Sequence, residues 1–185
     1  MIKEELGAVV VALTWFQLIQ TFYESLVVAP MSYYGADKYQ NRFQRYLGYI
    51  FTGHVLVSVT IAAIFGIIAL LVNEFNSALL GQAMAGVAVS TVFLLARGLI
   101  RQPFYVLSKP QLSAIGGAIY LVVNIVSTVI LYQSNLLNPF TALVGMGLAS
   151  FVTVIVQVIM LKPQYRGNYE DITPKSVMAD HWEYG

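Results

Sequence analysis

Five long apolar runs separated by short polar stretches set the pattern of the chain. They cover Leu6 to Ala29, closed by Pro30; Leu47 to Val72; Ala78 to about Ile100, with a helical continuation toward Leu107; Leu112 to Tyr132; and Phe140 to Leu161, opened by Pro139 and closed by Pro163. Each reaches the roughly 20 residues that carry an α-helix across a bilayer. Polar and apolar positions do not alternate within the runs, so they do not read as barrel strands. Hydrocarbon offers no partner to backbone N–H and C=O groups, so each run must pair its own as a helix. The prolines fall at run ends, where a missing N–H costs least. The expected fold is an all-α integral membrane bundle of five transmembrane helices over residues 1–162. Residues 163–185 form a polar tail or a linker to a further helix.

The polar connections differ in charge. Lys38, Arg42 and Arg45 lie between the first two runs, Arg101 and Lys109 between the third and fourth with Arg97 just inside, and Lys162, Arg166 and Lys175 after the fifth. The connections NEFNS and QSNLLNP carry no basic residue. Of ten basic residues only Lys3 falls on the other side. Cytoplasmic loops of membrane proteins hold the excess of Lys and Arg. The expected topology puts the N-terminus outside and the C-terminus in the cytoplasm, with Asn41 and Asn76 on opposite sides.

Composition narrows the chemistry. The chain is 58% hydrophobic and 10% charged, against about 25% charged in soluble domains. A net charge of +1 gives no field suited to nucleic acid. The absence of cysteine excludes disulfides and thiolate sites. His54 and His181 stand far apart, and no metal-ligand motif or phosphate loop occurs, so neither metal nor cofactor is expected. A prenyl or glycosyl transferase needs metal-binding carboxylates. The polar segments offer Asp37 alone, or Glu170, Asp171 and Asp180 without a DxxD pattern, so an enzyme is not expected.

Ionisable groups inside membrane spans are costly and usually face protein or water. Glu24 lies about five residues from the cytoplasmic end of the first span, His54 at a similar depth in the second, and Arg97 near the end of the third. Arg97 and Arg101 are spaced i, i+4 and share a helix face, which fits a shared anion, a shared Glu24 partner, or anchoring at the interface. Glu24 and His54 fit ion coupling, an ion pair or plain packing. Asn124 and Gln157 read as interhelical hydrogen bonders. The small residues Gly81, Ala85, Gly116, Gly117, Gly145, Gly147 and Ala149 read as close-packing points within the bundle. The tyrosines and phenylalanines from Tyr33 to Tyr49, with Phe104 and Tyr105, read as an interfacial belt.

Several stretches carry a resemblance. Ala29-Pro30-Met31 ends a span before a basic loop from Tyr39 to Tyr46. Arg97-x3-Arg101 is followed by Phe104-Tyr105, Lys109-Pro110 and Gly116-Gly117. Gly145-Met146-Gly147-Leu148-Ala149 lies in the last span, and His181-Trp182-Glu183-Tyr184-Gly185 follows it. In this order the chain resembles the polysaccharide flippases, the O-antigen and capsule repeat-unit translocases of the multidrug/oligosaccharidyl-lipid/polysaccharide exporter superfamily. The resemblance implies a multi-pass protein of the bacterial inner membrane that flips a polyprenyl-pyrophosphate-linked glycan by alternating access. It implies a two-lobe parent of twelve or more helices, of which this chain corresponds to the second through sixth. The outward N-terminus without a signal sequence and the uncapped DHWEYG end also predict a segment of a longer chain, completed by the second lobe or another copy. Arg97 and Arg101 would then meet the pyrophosphate, and Glu24 and His54 would be the coupling candidates. The alternative is a non-transporting membrane scaffold or accessory subunit in which both arginines are anchors.

Overall fold

The computed structural model describes residues 3–75, 77–163 and 172–184. Asn76, Arg166, Glu170, Asp171 and Gly185, which entered the sequence reading, lie outside them. Seven helices follow in order: α1 (Lys3–Tyr23), α2 (Ala29–Ala36), α3 (Phe43–Glu74), α4 (Ala78–Val106), α5 (Pro110–Gln133), α6 (Pro139–Leu161) and α7 (Pro174–Tyr184). A five-residue π turn, Glu24–Val28, joins α1 to α2 without a break, and a short 3-10 turn, Gln40–Arg42, leads into α3. No strand occurs among the described residues. Five helical stretches are long and apolar enough to cross a membrane: Lys3–Ala36, Gln40–Glu74, Ala78–Val106, Pro110–Gln133 and Pro139–Leu161. The protein is therefore a multi-pass membrane protein.

Pro30 does not close the first span. The helix passes it and runs on to Ala36. The π turn makes this passage feasible: the Ala29 N–H bonds the Glu24 carbonyl five residues back, so the register shifts just before the proline. Pro103 likewise lies inside α4, one turn from its end, where it removes one hydrogen bond without stopping the helix.

Helix α4 is the centre of the bundle. It packs along α6 and α3, touches α1 on a third side, and α5 leans mainly on α6. Close approach follows from small residues. A methyl at Gly86 would lie 2.9 Å from both the Phe140 carbonyl oxygen and Leu143 Cβ, so α4 and α6 meet nearly backbone to backbone. Gly147 sits against Ser90, whose hydroxyl donates to the Leu143 carbonyl at 2.9 Å. Gly81 lies against Asn73 and Ala69 of α3, Gly116 against Gln157, and Gly145 against Ser127 and Leu131. The small residues thus serve internal packing, except Gly117, which faces open space.

The outer surface is apolar. Val55, Leu56, Val59, Ile67 and Leu70 of α3, and Leu121, Val122, Ile125 and Ile130 of α5, are all exposed. Exposure of branched aliphatics on this scale costs a soluble protein heavily, but in lipid it is the solvated state. Short links at alternate ends make the helices run up and down. One end gathers Lys38, Arg42, Arg45, Arg101, Lys109, Lys162 and Lys175; Lys3 lies at the other.

Candidate functional site

A stripe of polar residues runs down α1. Thr14, Gln17, Gln20, Thr21, Glu24 and Ser25 recur at helical spacing, and Thr14, Gln17, Thr21, Glu24 and Ser25 are exposed. The hydroxyls on this stripe have spent their protons locally. Thr14 donates to the Val10 carbonyl, Thr21 to Gln17 and Ser25 to Thr21, at 2.9 to 3.1 Å. Ser32 does the same to Val28 at 3.0 Å. Each then presents only oxygen lone pairs outward. Toward the basic end the stripe opens into a groove of about 290 Å³ lined by Thr21, Glu24, Ser25, Val28, Ala29, Ser32 and Gln102. Its chemistry is mostly that of an acceptor surface around one carboxylate. Hydropathy along the span averages this stripe away, and the spacing of Thr14, Gln17, Thr21 and Glu24 shows it only when a single helix face is plotted.

Glu24 opens the π turn. Its carboxylate accepts from Gln20 Nε2 at 2.7 Å. Gly98 of α4 lies beside this pair: a methyl there would be 3.9 Å from both Gln20 Nε2 and Glu24 Oε1. Glu24 is therefore level with Arg97, as the sequence spacing implies. It forms no ion pair with Arg97 or Arg101, whereas Lys38 and Asp180 do pair at 2.7 Å.

Arg97 instead turns to α5. Its guanidinium carbon stands 4.0 Å from the centre of the Tyr120 ring, and its Nε is buried without a hydrogen-bond partner. Nine residues separate it from Val106, so it lies about 13 Å up the helix axis from that end. A desolvated cation–π stack is worth about 2 kcal/mol. Placing an arginine at the centre of a membrane helix costs about 3 kcal/mol on insertion scales. Arg97 lies off the helix centre and is half-buried, so its cost is below that figure, and its Nε–H still lacks a partner. Arg101, one turn nearer the end, is exposed.

His54 is enclosed. Its Nδ1 takes the Tyr23 hydroxyl at 2.8 Å and its Nε2 donates to the Val92 carbonyl at 3.2 Å. A neutral ring protonated on Nε2 satisfies both bonds, and α1, α3 and α4 are pinned together by them. The structure brings His54 to Tyr23, not to Glu24 or an arginine. Gln157 reaches the Leu112 carbonyl at a long 3.5 Å, while its Oε1 and the Ser113 hydroxyl stay buried without partners. Asn124 contributes its backbone carbonyl to Ser127 and Thr128 rather than a bond between helices.

A second polar cluster closes the basic end. Thr173 and Ser176 cap α7 reciprocally at 3.1 Å, with Pro174 in its first turn. Asp180 accepts from Lys38 Nζ at 2.7 and 2.8 Å and from the Tyr39 hydroxyl. Tyr39 stacks on Tyr46 at 4.4 Å, and the Tyr46 hydroxyl meets His181 Nε2 at 2.8 Å. Burial works against the Asp180 carboxylate, but hydrogen bonds from Lys38 and Tyr39 outweigh it and hold the group below its ordinary range. The bond to Asp180 raises Lys38 in turn. Burial lowers His181. The tail thus carries a docked helix, which Thr173-Pro174 announces in the sequence as a helix start.

No described group of three or more His, Cys, Asp or Glu side chains forms a metal site. No family model matches the chain, and no curated protein or solved structure matches it.

Proposed function

We propose that the chain is part of a transporter that flips lipid-linked oligosaccharide repeat units across the bacterial inner membrane for cell-surface polysaccharide synthesis. The basic end faces the cytoplasm and the N-terminus lies outside, following the distribution of Lys and Arg. The observation that carries the reading is Arg97: a half-buried cation on an apolar span, stacked on Tyr120, with its Nε–H buried and unpaired and no carboxylate partner. Such a group calls for an anion or water. A pyrophosphate suits it because guanidinium stays charged and donates through several N–H groups. Arg101, exposed at the mouth, attracts the same head group. The acceptor stripe on α1 gives a glycan's hydroxyls a polar path along an otherwise apolar chain. Glu24 sits where that path meets α4 and is the better coupling candidate, since both His54 nitrogens are engaged. Two lobes of twelve or more helices would enclose the path, with this chain contributing helices two to six.

The test is binding. The chain in nanodiscs is titrated with polyprenyl pyrophosphate and with the neutral polyprenol, read by native mass spectrometry. The pyrophosphate should bind, Arg97→Ala should weaken it at least tenfold, Arg97→Lys less, and Arg97→Glu most. Equal binding of the two lipids, insensitive to Arg97, sinks the proposal and favours the scaffold reading, in which Arg101 is an interfacial anchor.

A further inference from the structure

Helix α7 is not one of the spans, yet it carries two of the most exposed apolar side chains, Trp182 at 87% and Met178 at 75%. Helical spacing divides it into three edges. Val177 and Asp180 are buried against the bundle, and Tyr184 on the same edge lies among Tyr33 and Tyr34 of α2, with ring centres 5.6 and 6.1 Å away. Lys175, Met178 and Trp182 are spaced i, i+3, i+7 and are exposed on the second edge. Ser176, Ala179 and Glu183 repeat that spacing on the third. The free surface is thus split between an apolar edge that starts with a lysine and a polar edge that ends in a glutamate.

The contacts of α7 fix its level. The first apolar run ends at Ala29 and the second begins at Leu47. Helical structure continues to Ala36 and resumes at Gln40, so roughly 10 Å of each span stands beyond its apolar run. The headgroup layer adds roughly 5 to 8 Å on each side of the hydrocarbon core. The ties of α7 fall within these extensions or just inside them. Tyr33 and Tyr34 meet Tyr184, the Tyr46 hydroxyl meets His181 Nε2 at 2.8 Å, and the Tyr49 hydroxyl donates to the Ile172 carbonyl at 3.2 Å. Both ends of α7 are held at this level, so the helix lies along the headgroup layer across the ends of α2 and α3. The lipid-facing surface reaches it directly: Leu26, in the π turn on which α7 packs, and Tyr33 are exposed. Tryptophan favours this layer, and a lysine stem lies along apolar surface with its ammonium among polar groups. Lys38 and Arg42 stand at the same end, so anionic phosphates are the matching charge. We propose that α7 is an interfacial anchor: Met178 and Trp182 sink into the boundary between headgroups and acyl chains at the basic end, Lys175 sits at the phosphates, and the edge of Ala179 and Glu183 stays in water. The anchor rests on membrane insertion of the spans and not on the transport reading.

The chain has two tryptophans, Trp15 and Trp182, so Trp15→Phe leaves Trp182 as the single reporter. The full chain is placed in nanodiscs containing phosphatidylglycerol, and its fluorescence is quenched from water by iodide and from the bilayer by lipid brominated high in the acyl chain. Brominated lipid should quench Trp182 strongly, and iodide about threefold less than it quenches free N-acetyltryptophanamide. Moving the reporter to the opposite edge, with Ala179→Trp in the Trp15→Phe, Trp182→Phe background, should reverse the pattern. Lys175→Glu should cut the quenching of Trp182 by brominated lipid about twofold, through repulsion from the anionic surface. Ready quenching of Trp182 by iodide alone overturns the anchor, because the edge then faces water. Protection from both quenchers also overturns it, because a second copy or another protein segment then covers the edge. Equal bromolipid quenching from both edges overturns the sided insertion, and no response to Lys175→Glu overturns the place given to Lys175. No polyprenyl lipid enters the assay, so its failure is separate from failure of pyrophosphate binding.

Discussion

Lys38 and Asp180 lie 142 positions apart and meet at 2.7 Å, with both carboxylate oxygens within reach of the ammonium. The pair is not the main tie at this site. Lys38 is half exposed, at 51% for its side chain, and exposed ion pairs contribute about 0 to 1 kcal/mol. Tyr39 is buried, and a hydrogen bond to a charged acceptor is worth about 1.5 to 3 kcal/mol. Tyr39→Phe should therefore release α7 more than Lys38→Met does, read by hydrogen exchange of the α7 amides. The reverse order would show that the ion pair dominates.

Acid should release α7 in two stages. His181 and Asp180 both have pKa values lowered on docking, from ordinary values of 6.5 and 3.8. A lowered group supports docking fully above its ordinary value and withdraws that support as pH falls through its docked value. The first loss therefore begins below about pH 6.5 and belongs to His181, among Tyr46, Asp180, Lys38 and Tyr39; the second begins below about 3.8. Lys38 is raised, so its support is complete below 10.5 and is lost only above that. The protection factors of the α7 amides, with exchange corrected for its intrinsic slowing in acid, should fall between pH 7.5 and 5, and His181→Gln should flatten that first stage while leaving the second.

The Tyr23–His54–Val92 chain predicts a stability effect. Tyr23→Phe removes the donor to a buried nitrogen. An orphaned buried acceptor costs about 1 to 3 kcal/mol, although interhelical bonds in membranes average nearer 0.6. The expected loss is about 1 kcal/mol, and His54→Ala, which also leaves a cavity between α1, α3 and α4, should cost more. Thermal unfolding in detergent measures both, and a neutral His54→Ala would remove the ring from any structural role.

Much of this was legible from residue order, and the misses have physical causes. Apolar length placed the five long helices because lipid leaves the backbone no other solution. Pro30 predicts a stop because proline ends α-helices in general, and the π turn that carries the chain past it leaves no mark in composition. From Thr14 to Glu24 the mean hydropathy averages away a stripe on one face. Arg97 was singled out by its type and depth, but its partner Tyr120 follows from how α5 sits on α6 and α4, which periodicity does not encode. The pairing of Asp180 with Lys38 is a contact across nearly the whole chain, and no local signal announces it.

The glycines divide cleanly. At Gly86 an added methyl would sit 2.9 Å from a backbone oxygen of α6, and backbone cannot move aside as a side chain can. Gly86→Ala should cost about 1 to 3 kcal/mol through overpacking. At Gly117 the space is open, so Gly117→Ala gains helix propensity of up to about 1 kcal/mol at no steric cost. Opposite shifts in thermal midpoint are expected; the same sign for both would contradict the α4–α6 contact described here.

Tyr120 supplies the most direct probe of how Arg97 is held. The guanidinium lies over the ring face, so the aromatic quadrupole, not the hydroxyl, provides the attraction. Tyr120→Phe keeps the face and should leave pyrophosphate binding within about twofold. Tyr120→Leu keeps bulk but removes the face, at a loss of roughly 1 to 2 kcal/mol, or five- to thirtyfold in affinity if the stack pre-orients Arg97 for the anion. If the stack instead competes with the anion for the charge, Tyr120→Leu should bind more tightly. The direction of the Leu variant, measured against Arg97→Lys in the same nanodisc titration, thus decides whether Tyr120 is a positioning residue or a resting place for the cation.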